Sequence, residues 1–311
     1  MKRKEAGLFG GTVAIAAIVT AGFPWQSVLL GWLLGAVLTL LAQRLPGGHG
    51  GRLPALVTVL GGILVLAAAA MGAEDAFPED STFPFVSLAL MLLTFRSMVG
   101  ERSSSSAVAN VIGMILLPLL AVMVLFGLRD VAWRENIPQG LRWGQVWVTA
   151  AATAPWWCFR RGPMGKRGWL WFTGAGSLAL GMSLMTRGIL GAALCGYEEF
   201  ALYRAVQTIR ILGAVQRLEA LLAAVILMGA FGVMLLTGET VAAALDELLP
   251  EMPMRWKGGG TLALAFFAEW AARTLERDLG EILGTVFWGL VPVLALWVVF
   301  TEKTQKSVEI P

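Results

Sequence analysis

Few side chains in this sequence have the type and spacing to do chemistry. Glu269 lies in the apolar run LALAFFAEWAARTLERD, with Arg273 four residues on and so on the same helical face. A carboxylate inside such a run needs a partner. It is either a proton- or substrate-binding group or half of a structural (i, i+4) pair, and the pair is the ordinary reading. A second set is polar but uncharged. Thr149, Thr153 and Pro155 fall in WGQVWVTAAATAPWWCF, and Gly10, Gly11 and Thr12 open the first apolar run. Both patterns suit helices broken inside a membrane, where freed backbone groups bind a small polar ligand. Arg217 and Glu219, two apart, point in different directions and each needs its own partner. Glu239, after Gly238, marks either a helix break or the membrane interface.

Other chemistries are excluded by what is missing. The one histidine, His49, sits in the loop PGGHGG, and Cys158 and Cys195 have neither metal-ligand nor disulfide-framework spacing. There is no GxxxxGK[ST] motif for nucleotide phosphates. The basic residues are dispersed rather than clustered for nucleic acid. Neither a catalytic residue nor a cofactor is expected, so the chain reads as a non-enzyme.

The elements that must position these residues follow from composition. The 311 residues are 57% hydrophobic and only 14% charged, where soluble domains carry about 25% charged residues. Mean hydropathy is +0.72. Apolar runs near twenty residues recur from end to end, as in a polytopic all-α membrane protein forming a single transmembrane domain over 1–311. The expected spans are 7–22, 25–42, 53–73, 83–99, 107–128, 141–158, 169–190, 218–238, 258–272 and 282–300. One helix over 7–42 would be about 54 Å long, too long for one crossing, so Pro24 marks a hairpin or a re-entrant first segment. MKRKEAGLFGGTVAIAAIVTAG also has the form of a signal peptide, but the equally apolar span that follows favours a hairpin.

Charge sets the orientation. With the N-terminus inside, the cytoplasmic side collects Lys2, Arg3, Lys4, Arg44, Arg52, Arg102, Arg160, Arg161, Lys166, Arg167, Arg255, Lys257, Lys303 and Lys306. The opposite side has acidic EDAFPED and balanced RDVAWREN, as the positive-inside rule requires. Both termini are then cytoplasmic. Trp25, Trp133, Trp143, Trp169, Trp256 and Trp270 lie near span ends, where indoles favour the interface. The stretch YRAVQTIRILGAVQRLEALL stands apart, because Arg204, Arg210 and Arg217 fall on the outer side. Ten spans suggest two inverted five-span repeats, with spans one and six interrupted. Gly31 and Gly35 have the spacing for close helix packing.

GYEEFALYRAVQTIRILGAVQRLEALLAAVILMGAFGVMLL, residues 196–236, resembles a region of the B subunits of spore germinant receptors, the GerAB-like family. Arg210-Ile211, Gly213 and Gln216-Arg217-Leu218-Glu219 stand where that family has its pattern. Glu198 replaces the family's proline after the tyrosine. WQSVLLGWLLGAVLTLLAQRLPG is similar to the family's second span, and FPFVSLALMLLTFRSMVGERSSSSAVANVIGMILLPLL to its fourth and fifth. The resemblance implies the ten-span fold of amino-acid/polyamine permeases, in the inner membrane of the spore. It also implies A-type and C-type partner subunits, and a role in sensing a small nutrient such as an amino acid to trigger germination. The segment holding Arg210, Arg217 and Glu219 would be an outer-face helix or re-entrant turn. The first span is shorter than the family's, and if a broken first helix supplies the ligand contacts, the ligand differs or is absent. Two alternatives stay open: a secondary transporter of amino acids or amines, and a ligand-free assembly subunit.

Overall fold

The computed structural model describes residues 4–43, 52–75, 84–99, 102–136, 140–153, 156, 164–196, 201–208 and 218–274. Among these, ten α-helices and two short 3₁₀ turns make up the regular structure. The helices are α1 (Lys4–Thr20), α2 (Trp25–Gln43), α3 (Arg52–Asp75), α4 (Phe85–Val99), α5 (Arg102–Arg129), α6 (Trp143–Ala152), α7 (Lys166–Leu190), α8 (Ala201–Thr208), α9 (Leu218–Leu248) and α10 (Met254–Thr274). Two stretches, Ala107–Arg129 and Ala220–Leu248, are long and apolar enough to cross a membrane by length and composition. Every expected span except 282–300 overlaps one of these helices, and 282–300 lies outside the described residues.

The hairpin at Pro24 is present. Phe23 N donates to Thr20 O to close the turn, and Val28 N donates to Pro24 O to start α2. Pro24 has no N–H to lose and its fixed φ suits this position. Ser183 of α7 ties the turn down, its Oγ donating to Phe23 O at 2.7 Å. At the far end of α7, Gly191 adopts φ +82°, which a side chain disfavours, and its N–H caps Arg187 O at 2.8 Å.

The expected interruption of α1 is absent, and so is a break at Glu239, one of the two readings open there. Helix α1 runs unbroken through Gly10, Gly11 and Thr12. Its glycines serve close approach instead. A methyl built on Gly7 would lie 2.6 Å from Ala109 O and one on Gly10 2.9 Å from Gly113 Cα, both on α5. One on Gly11 would overlap Val233 of α9. Helix α9 likewise continues through Gly238 and Glu239, ten residues beyond the expected end of its span. Gly238 faces Met98 and Thr94 of α4, so the small residue accommodates a neighbour rather than breaking the helix.

Helices α1 and α9 form the centre. Helix α1 packs against α5, α6, α7 and α9, while α9 packs against α1, α3, α4, α5 and α10. Helices α2, α6 and α7 lie on the α1 side, and α3, α4 and α10 on the α9 side. Contact registers give relative directions. Gly7 to Ala109 and Gly10 to Gly113 run in step, so α1 and α5 are parallel. Gly31 to Thr149 and Gly35 to Thr153 make α2 and α6 parallel. Ala55 and Val59 cluster with Val241, Ala244 and Leu245, so α3 and α9 are antiparallel. Gly258 faces Phe95, while Glu269 meets Ser87, so α4 and α10 are antiparallel. These directions agree with strict alternation of successive helices, provided α8 is left out of the count. At eight residues, or about 12 Å, α8 is too short to cross. It buries Ala201, Leu202, Ala205 and Val206 and exposes Arg204.

Candidate functional site

A buried carboxylate lies at the junction where α3 ends, α4 begins and α10 nears its end. Glu269 of α10 is 1% exposed. Ser87 Oγ donates to Glu269 Oε1 at 2.5 Å and shares that single hydrogen with Ala70 O at 3.0 Å. Arg273 Nε donates to the same Oε1 at 3.4 Å, and an Nη2 hydrogen goes to Met71 O at 3.3 Å. The expected (i, i+4) pair is therefore formed, with Ser87 as a stronger partner. Glu269 Oε2 is buried without a hydrogen-bond donor among the described residues.

A second carboxylate reaches the same serine. Glu74, in the last turn of α3, accepts the Ser87 N–H at 2.7 Å. That N–H belongs to the first turn of α4, where no intrahelical acceptor exists, so Glu74 caps α4 from a neighbouring helix and answers its positive end. Two carboxylates thus converge on one residue, one at its amide and one at its hydroxyl. Ser87 and Glu74 were not singled out from sequence. A lone hydroxyl in the apolar run FPFVSLAL was the signal for Ser87, whereas Glu74 read as part of an acidic loop.

The other sequence candidates lie elsewhere. Thr12 is fully buried on α1, and its Oγ1 has no hydrogen-bond partner among the described residues. Thr149 Oγ1 donates to Gln145 O at 2.8 Å and Thr153 Oγ1 to Ala150 O at 2.6 Å. Both threonines fill the grooves over Gly31 and Gly35 of α2. Although α1 and α6 are in contact, Gly10 and Gly11 face α5 and α9 while the two threonines face α2. Helix α6 stops at Ala152, with Thr153 as its C-cap. Pro155, Arg210 and Arg217 lie outside the described residues. Glu219 falls in the first turn of α9.

The α2–α6 ladder continues one step beyond the threonines. Its register pairs residue 31 with 149 and 35 with 153, so Ser27 comes opposite Gln145. Ser27 Oγ and Gln145 Oε1 are both buried without a hydrogen-bond partner among the described residues. A missing partner for a buried polar atom costs about 1–3 kcal/mol, and a small hydrogen-bonding ligand would supply one. Elsewhere, beside Gly22, Cys195 donates weakly to Thr186 O at 3.8 Å. Burial pushes its thiol above the ordinary range, the opposite of what a thiolate nucleophile needs. No protein-family model matches this chain, and neither does any curated protein sequence.

Proposed function

We propose that this chain is a membrane subunit of a spore germinant receptor, which senses a small nutrient such as an amino acid and acts with A-type and C-type partner subunits. The observation that carries the sensing role is the ladder ending in Ser27 and Gln145, whose bare oxygens suit an uncharged or zwitterionic polar ligand. The closed centre favours sensing over transport. Alternating access uses discontinuous helices, whereas α1 is continuous and its glycine niches are filled by α5 and α9.

The same reading places ten spans in the inner membrane of the spore, with both termini cytoplasmic, built as two inverted repeats. Matching α1–α5 to α6, α7, α9, α10 and the 282–300 segment supports the repeat. All four described counterpart pairs pack together: α1 on α6, α2 on α7, α3 on α9 and α4 on α10. Contacts also come in swapped pairs, α2–α6 with α7–α1 and α3–α10 with α9–α4. The extensive α1–α9 contact has no comparable α6–α3 counterpart among the described residues. Apolar side chains exposed on the outside of the bundle, Leu33, Leu92, Met114, Leu125 and Phe267 among them, suit a lipid surround.

The test is a germination assay on spores carrying an in-frame deletion of this gene, scanned against single amino acids and other small nutrients. Loss of the response to one germinant, with the others intact, is expected. Unchanged responses throughout overturn the receptor reading. One observation favours a second reading, secondary transport of amino acids or amines: the buried Glu269 carboxyl is the kind of intramembrane group that couples transport. Saturable uptake by the protein in liposomes would establish it.

A further inference from the structure

We propose that the junction of α3, α4 and α10 binds an alkali-metal cation, held by Glu269, Glu74 and Ser87. This goes beyond the receptor reading and does not depend on it. Each of these groups offers hard oxygen, and no cluster of three or more His, Cys, Asp or Glu side chains among the described residues would suit a transition metal.

Charge and hydrogen bonding point the same way. Two carboxylates meet at Ser87 and one guanidinium, Arg273, stands beside them. The N-terminus of α4 adds about half a positive unit, so among the described residues the junction is net negative when both carboxylates are ionised. The next cation along α10, Lys257, is twelve residues away, or about 18 Å, and is paired with Asp246 at 2.8 Å. It cannot offset the surplus. Among the hydrogen bonds of the junction, Glu269 Oε1 takes both donors, Ser87 and Arg273, and Oε2 takes none although it is buried. Ser87 Oγ spends its hydrogen on acceptors, which leaves oxygen lone pairs free. A buried carboxylate oxygen without a donor among the described residues, beside a hydroxyl with lone pairs to spare and a second carboxylate, has room in its bonding for one positive, donor-free ligand. A monovalent metal ion supplies that.

The test uses the full-length protein purified in detergent and unfolded by heat, with sodium, potassium or lithium chloride replacing N-methyl-D-glucamine chloride at constant ionic strength and pH. Saturable stabilisation that differs among the cations is expected, about 5 °C at a hundredfold excess over the dissociation constant. Glu269→Gln should abolish that response. Should Glu269→Gln fail to fold, Ser87→Ala takes its place, with at least a tenfold weaker apparent affinity expected. Equal melting in every salt, or an undiminished cation response in either variant, overturns the proposal. Stabilisation by acid alone, with no selectivity among cations, also overturns it, because the occupant is then a proton.

Discussion

Helices α1 and α10 are both rich in glycine and both reach into the bundle, yet they fill their surroundings by opposite means. Helix α1 is enclosed by α5, α6, α7 and α9. It buries Leu8, Phe9, Val13 and Ala16 and brings its backbone against its neighbours at Gly7, Gly10 and Gly11. Helix α10 packs on α3, α4 and α9, leaving Leu264, Phe267 and Trp270 exposed on its outer side. On its inner side it buries Lys257 and Glu269. Those two charges differ in turn. Lys257 meets Asp246 at 2.8 Å, one charge against one, whereas Glu269 shares a serine with a second carboxylate and keeps a bare oxygen. Close backbone approach on α1 is made by its small residues, whereas the buried charges of α10 are held by partners on neighbouring segments and on α10 itself, Asp246, Ser87 and Arg273.

The sharpest way to break this contrast is to add bulk to α1. Gly11→Val should destabilise the protein by about 3 kcal/mol, because the new side chain overlaps Val233 and its Cβ stands 3.1 Å from Gly229 O. Adding Val233→Ala should recover most of the loss, measured as midpoints of denaturant unfolding in detergent. A Gly11→Val protein of unchanged stability would mean that α1 is loosely packed. A smaller effect separates the two partners at the other end of α10. Asp246→Ala should cost about 2 kcal/mol, since it removes the charge facing a lysine whose side chain is 3% exposed. Lys257→Met should cost less than about 1 kcal/mol, because Asp246 is 42% exposed and water takes over its solvation. Equal costs would show that the pair behaves as a surface bridge. The smallest effect has the opposite sign. Thr12→Val replaces a buried hydroxyl, unpartnered among the described residues, by a methyl; it should stabilise by about 1 kcal/mol and leave the germinant response expected under the proposed function intact. If that response is lost, Thr12 is a ligand contact after all.

Much of the fold was legible without coordinates. Apolar runs of near twenty residues produced helices at nearly every expected place, since a chain this poor in charge has few other ways to satisfy its backbone. Pro24 produced its hairpin, and the spacing of Gly31 and Gly35 its close packing, because both effects are local to one turn or one helix face. The expected break at Gly10–Thr12 illustrates the limit. Glycine either frees a helix to break or lets a neighbour approach, and only the presence of Gly113 and Val233 decides between them. Glu269 was visible as a buried charge and Arg273 as its partner from a four-residue spacing. Ser87 is 182 residues away and Glu74 further still, and no local pattern connects them.

Composition and periodicity by themselves determined that the chain is helical, approximately where its long apolar helices lie and which residues stand out within them, because those follow from interactions a few residues apart. Tertiary structure alone decided that α1 is closed and that two carboxylates share one serine. Both depend on which helix faces arrive side by side, and that is set by packing among distant segments.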